Sequence, residues 1–185
     1  MLFRSGALKD EIAADTLEEL HPSYQTSLLL DMSDARASEL LASMSPDDAA
    51  DLLADLPDER RAHLIAMMEK DDAEDMRELL SYPEDSAGGI MTPDFAWVRL
   101  DDTAPEATEK LRTQADDVET VYYIYVLDRG QHLRGVFSLR DLLMTPPERK
   151  VRDFMTENPV SVPTLAGEEE ITQAIAKYNL LDLPV

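Results

Sequence analysis

The sequence predicts a multidomain α+β protein: an N-terminal all-α superhelical array of short helices, followed by an α/β region. Three observations carry that expectation. Residues of the first half repeat with a period of 12. The period stops within Ser81–Gly89, and β-type runs begin after it. A pattern that opens near Gly89 then starts again near Val151.

Two apolar series carry the 12-residue period. One is Leu20, Met32, Met44, Leu56, Met68 and Leu80; the other, three residues ahead, is Leu17, Leu29, Leu41, Leu53 and Ile65. Turn and capping residues follow the first series at His21-Pro22, Ser33-Asp34, Ser45-Pro46 and Pro57-Asp58. Asp or Ser ahead of a helix-forming stretch reads as an N-cap, and Pro fits the first helical position. Each unit is then a helix of about two turns with both series on one face. So short a helix cannot stand alone, and stacked neighbours must cover its face. One long helix is the rival reading. Pro22, Pro46 and Pro57 oppose it, since an interior proline costs about 3 kcal/mol.

In the second half, Phe95–Leu100 reads as a strand and Ala104–Ala115 as a helix. Val121–Leu127 (VYYIYVL) is a nearly continuous apolar run, expected as a strand buried on both faces. Asp128–Gln131 is a turn, Leu133–Ser138 the next strand, and Leu139–Met144 opens a helix. The second pass echoes the first. Val151–Thr156 repeats the apolar-Met-Thr junction of residues 89–92, Pro159–Val162 is expected as a strand, Glu168–Asn179 as a helix, and Leu183–Val185 as the start of another strand. An apolar strand at Val185 with half a core outstanding suggests a piece of a longer protein.

Composition narrows the function. The chain has 185 residues, 44% hydrophobic and 30% charged, which suffices for a core. Against 17 Lys+Arg stand 39 Asp+Glu, a net charge of −22. Nucleic acid and anionic lipid both need a basic surface, so neither is an expected partner. With no cysteine, disulfides and thiolate metal sites are excluded. No apolar run approaches the roughly 20 residues of a membrane helix, and the first 15 residues lack a signal-type apolar stretch. His21, His63 and His132 are scattered, and no catalytic constellation is visible, so an enzyme is not expected.

The acid is concentrated in residues 1–90, which carry a net −15 against −7 for residues 91–185. Such a segment repels itself and should gain stability from cations. Asp47, Asp51 and Asp55 fall at i, i+4 and i+8 in SPDDAADLLADLP, on one side of a helix if it runs that far. Asp47 and Asp48 sit at a helix N-terminus, where the dipole favours them; Asp51 and Asp55 do not. A solvated acidic face is one reading. The other is a surface for hard divalent cations, which take carboxylate oxygens and water. No EF-hand loop is present. Ser138, Arg140 and Asp141 follow a strand at the head of a helix. Ser138 and Asp141 fit a capping box; the same groups with Arg140 could face a nucleotide.

SPDDAADLLADLP, YPEDSAGGIMT, ETVYYIYVLD and GVFSLRDLL together resemble the cytosolic part of an MgtE-type magnesium channel, over nearly all of residues 10–185. In that family an N-terminal superhelical domain precedes two CBS motifs, a plug helix and a membrane pore. The resemblance implies an N-terminal domain at 1–88, a first CBS motif at 89–150, and an incomplete second motif at 151–185. It implies a Mg²⁺-sensing regulatory region, in which Mg²⁺ bridges acidic faces, compacts the domains and favours a closed pore. Asp47 and Asp51 match the family's metal-binding acids, Asp15 stands where the family has a glutamate, and Glu169 falls on an acid of the CBS helix. Gly167 and Asn179 stand where the family pattern has aspartates, which weakens at least one site. ATP is a second expected ligand: Tyr123, Arg140 and Asp141 match adenosine-binding positions, with Ser138 beside them. The implied partners are a second copy, joined through the CBS domains, and the pore domain of the full-length chain at the cytoplasmic face of the cell membrane. A nucleotide-sensing CBS module regulating a soluble partner, and a helical-repeat scaffold, are the alternatives.

Overall fold

The computed structural model describes residues 10–115, 118 and 121–185, so the opening stretch read above for a signal peptide falls largely outside them. The chain divides into two units, residues 1–93 and 94–185.

The first unit contains α1 (Asp10–Glu18), α2 (Pro22–Asp31), α3 (Asp34–Leu41), α4 (Pro46–Ala54), α5 (Asp58–Met67) and α6 (Lys70–Leu79). The expected breaks are the observed starts: His21, Ser33, Ser45 and Pro57 are the N-caps of α2 to α5. Ser33 Oγ accepts from Arg36 N, closing the first turn of α3. Odd helices pack on odd and even on even, α1 on α3, α3 on α5, α2 on α4 and α4 on α6, with α5 also meeting α6. The result is two rows of short helices around one core. Leu17, Leu29, Leu41, Leu53 and Ile65 are all buried in it. Each buried Leu contributes about 1.5–3 kcal/mol. The other apolar series sits at the helix ends and is uneven: Met44 and Leu56 are buried, Met32, Met68 and Leu80 only in part, and Leu20 is exposed.

Several helix ends are closed from a distance. Gln25 Nε2 donates to Leu17 O at 2.9 Å and Glu18 O at 3.1 Å, at the end of α1. Arg60 donates to Leu29 O, Leu30 O and Met32 O at 2.8–2.9 Å, at the end of α2. Glu18 Oε1 accepts from Ser45 N at 2.9 Å, at the start of α4. These bonds satisfy groups that a short helix cannot satisfy itself. Beyond α6 the chain turns tightly, and Gly88 lies against the Tyr82 ring; a Cβ there would sit 2.6 Å from Tyr82 Cγ.

The second unit has a four-stranded sheet in the order β1 (Trp97–Arg99), β2 (Tyr123–Leu127), β3 (Leu133–Ser138), β4 (Thr156–Glu157). β1 and β2 are parallel, joined through α7 (Ala104–Gln114); β2–β3 and β3–β4 are antiparallel. Thr103 and Glu106 form a capping box at the head of α7. α8 (Leu139–Met144), a 3₁₀ turn at Val151–Asp153 and α9 (Glu168–Tyr178) complete the elements. Ala96, Val98, Ala107, Leu111, Ile124, Val126, Phe137, Leu142 and Val151 form the core.

Two strand expectations are corrected. β2 is fully buried on one face and only partly on the other: Ile124 and Val126 enter the core, whereas Tyr123 and Tyr125 are half-buried on the other side, Leu127 is buried at the strand end and Tyr122 is exposed. The tyrosines, apolar in body and polar at the tip, let such a strand look continuous in sequence. Pro159–Val162 and Leu183–Val185 form no strands. They meet through one hydrogen bond, Val162 N to Pro184 O at 3.0 Å. Pro159, Pro163 and Pro184 lack the N–H a ladder needs. The fourth strand is instead Thr156–Glu157, paired with Val136 and Gly135.

Candidate cation and nucleotide sites

α4 runs from Pro46 to Ala54, and Asp55 is its C-cap, so Asp47, Asp51 and Asp55 do follow one side of a helix. Proline at the first position and Asp47 and Asp48 in the first turn suit the helix start. Asp51 is differently placed. Partial burial, then the carboxylates of Glu84, Asp47 and Asp55, hold its carboxyl above the usual carboxylate range. Thr26 Oγ1 donates to Asp55 Oδ2 at 3.4 Å, tying α2 to the same cluster. Glu84 is the member that sequence reasoning missed. It comes from the turn after α6, outside the 12-residue period, and nothing in its spacing points back to α4. A second repelling group lies on α6: Asp72 and Asp75 are raised by partial burial and by neighbouring carboxylates, Glu69 and Asp71 for the first, Asp72 and Glu78 foremost for the second.

Asp15 stands exposed on α1 and Glu169 exposed in the first turn of α9. Glu168, Glu169 and Glu170 all occupy that turn, where the helix dipole favours acid, and Glu169 Oε1 accepts from Gln173 at 3.0 Å. Gly167 is the N-cap of α9, and Asn179 its C-cap with φ 52°, a left-handed position that Asn tolerates. Among the described residues, no three His, Asp or Glu side chains stand ready-made as a metal site.

The nucleotide candidates share one sheet end. Tyr123 is the cross-strand partner of Ser138, and Ser138 is the N-cap of α8. Asp141 Oδ2 accepts from Ser138 N at 3.0 Å and from Ser138 Oγ at 2.6 Å, while Asp141 N donates to Ser138 Oγ at 3.1 Å. The capping box is therefore formed, and those bonds hold the Asp141 carboxyl below its usual range. Arg140 is exposed between them.

The whole described architecture resembles a solved structure of the soluble part of a magnesium transporter, with a TM-score of 0.91 and 33% identity, covering 96% of this chain and 70% of that one. The chain belongs to the MgtE family. Residues 4–85 match the MgtE intracellular N domain and residues 87–147 match the CBS domain. The magnesium transporter MgtE of Thermus thermophilus is 44% identical over 107 residues, 58% of this chain but 24% of that protein. A cytosolic domain of the Mg²⁺ channel MgtE, solved in complex with ATP, is 36% identical with a TM-score of 0.88, covering 96% of this chain and 73% of that one. The chain thus spans about a quarter of its curated MgtE relative and most of the solved cytosolic parts. No helix among the described residues is long and apolar enough to cross a membrane.

Proposed function

We propose that this chain is the Mg²⁺-sensing regulatory region of a magnesium channel, in which cations taken up by its acidic faces lower the repulsion between its parts and favour the closed pore of the full-length protein. The observation that carries this reading is Asp51, partly shielded from water and crowded by Glu84, Asp47 and Asp55. Like charges repel more strongly where they are partly shielded from water than in bulk solvent. A divalent cation relieves that cost most. Magnesium keeps several of its waters and is held through one or two carboxylates directly. Asp47 and Asp51 are the proposed ligands on α4, and Asp15 on α1 and Glu169 on α9 are proposed as acids of separate cation sites.

The test is small-angle scattering of the chain titrated with MgCl₂ and, at matched ionic strength, with NaCl, for wild type and an Asp47→Asn/Asp51→Asn double variant. Compaction specific to Mg²⁺ and diminished in the variant supports the reading. Equal responses to both salts leave only a solvated acidic surface.

A second ligand is supported by the shared placement of Tyr123, Ser138, Arg140 and Asp141 and by the ATP in the related domain. We propose that this corner faces the sugar and base of an adenine nucleotide, and that the chain pairs with a second copy through its CBS region. Calorimetry with ATP against Arg140→Ala tests the former, and sedimentation equilibrium the latter.

A further inference from the structure

β1 is the outer strand of the sheet, and among the described residues no strand pairs with its far side. Tyr125 N donates to Ala96 O at 2.9 Å, so Ala96 and Val98 direct their backbone groups to β2 while Trp97 and Arg99 turn theirs outward. A row of unpaired outward groups is a template for a strand from another chain. Here all four outward groups are already taken. Gln114, at the end of α7, accepts from Trp97 N through Oε1 at 3.0 Å and donates to Trp97 O through Nε2 at 3.0 Å. Asp102 accepts from Arg99 N through Oδ2 at 2.7 Å, and Asp102 N donates to Arg99 O at 3.2 Å.

Charge completes the cover. Lys110, one turn before Gln114, places Nζ 3.7 Å from the centroid of the Trp97 ring, and Arg99 places Cζ 4.4 Å from it. The Arg99 guanidinium is held in turn by Asp128 O and Gln131 Oε1.

We propose that Gln114 serves as a one-residue strand that closes the β1 edge, with Asp102 closing the rest and the Lys110 and Arg99 cations costly to desolvate beneath an incoming strand, so that the sheet does not add a strand from a second copy of this chain. A glutamine suits the role because its amide carries one acceptor and one donor set, like the peptide group it replaces. This closure is independent of the cation and nucleotide readings, since no acid of α4 and no residue of the Ser138 corner takes part.

Hydrogen exchange and sedimentation velocity on the full chain test it. In wild type the Trp97 amide exchanges at least tenfold more slowly than an unstructured peptide amide. In Gln114→Leu, which keeps the volume and removes both bonds, that amide exchanges at least tenfold faster than in wild type, Ile124 and Val126 are unchanged, and species larger than the wild-type form grow with concentration. Gln114→Asn, which keeps the polarity and shortens the reach, gives the same readouts and stands in if the Leu variant does not fold. The proposal is overturned if the wild-type Trp97 amide exchanges freely. It is overturned equally if the variants keep the wild-type assembly state at every concentration.

Discussion

Carboxylates on α4 and α6 face other carboxylates, and burial and repulsion push Asp51, Asp72 and Asp75 up. In the α/β unit Asp128, Asp141 and Glu106 face donors instead. Asp128 accepts from Gly130 N at 2.7 Å, His132 N at 3.1 Å and Arg134 Nε at 2.8 Å, and its carboxyl is held well below the usual range. Glu106 and Asp141 are lowered by the capping boxes they complete. One residue type thus has two roles. Satisfied by backbone donors, it fixes a turn or a helix start. Set against its own kind, it stores repulsion that a cation can release.

The comparison can be broken first at the core beneath the acids. Leu53, fully buried on the inner side of α4, becomes a cavity in Leu53→Ala at a cost of about 2–5 kcal/mol. If the α4 acids strain the array, urea unfolding of this variant shows a larger rescue by MgCl₂ than by NaCl at equal ionic strength. Ser138→Ala removes the N-cap of α8 and should cost about 1 kcal/mol. Its stability should respond to the two salts alike, because Asp141 stands beside the Arg140 cation and not against other carboxylates. Asp51→Asn should stabilise the array by a few tenths of a kcal/mol in low salt, since like charges at i, i+4 are relieved, and should weaken the Mg²⁺ response. Chelator titration followed by circular dichroism reads both effects.

The last test is one of sign. Raised groups stabilise the fold when protonated. The contribution of Asp51, Asp72 and Asp75 is present below the ordinary carboxylate pKa of about 3.9 and is lost as pH rises through their folded values. Lowered groups do the reverse. Asp128, Asp141 and Glu106 contribute above their unfolded pKa values and lose the contribution as pH falls through the folded ones. Acidification from pH 5 should therefore loosen amides of the β2–β3 turn and the α8 start before those of α4. Residue-resolved exchange at a series of pH values checks the order; α4 opening first would contradict the contrast.

The array was legible because its information is local. The breaks between helices stand in the sequence itself at His21, Ser33, Ser45 and Pro57, and the Leu17-to-Ile65 series marks the buried face once per repeat. The α/β order was legible from the apolar runs, and the Ser138–Asp141 box from its three-residue spacing. What failed lay outside the apolar pattern. Tyr123 and Tyr125 count as apolar in a run, yet face away from the core. Val160 and Val162 have strand composition, yet prolines deny them a ladder. Glu84 reaches Asp51 from 33 positions away, and Gln114 closes Trp97 from 17, and neither spacing belongs to a helix or a strand.

The alternation of rows in the array has a consequence for its growth. Because α1 packs on α3 and α2 on α4, a helix is equivalent to its second neighbour, not its first. The module that can be copied or removed is consequently a pair of helices, 24 residues by the period of the sequence. Deleting one 12-residue unit would move every later helix to the opposite row and carry the acids of α4 or α6 to the other side. Deleting two would shorten the stack and leave each surviving face where it was.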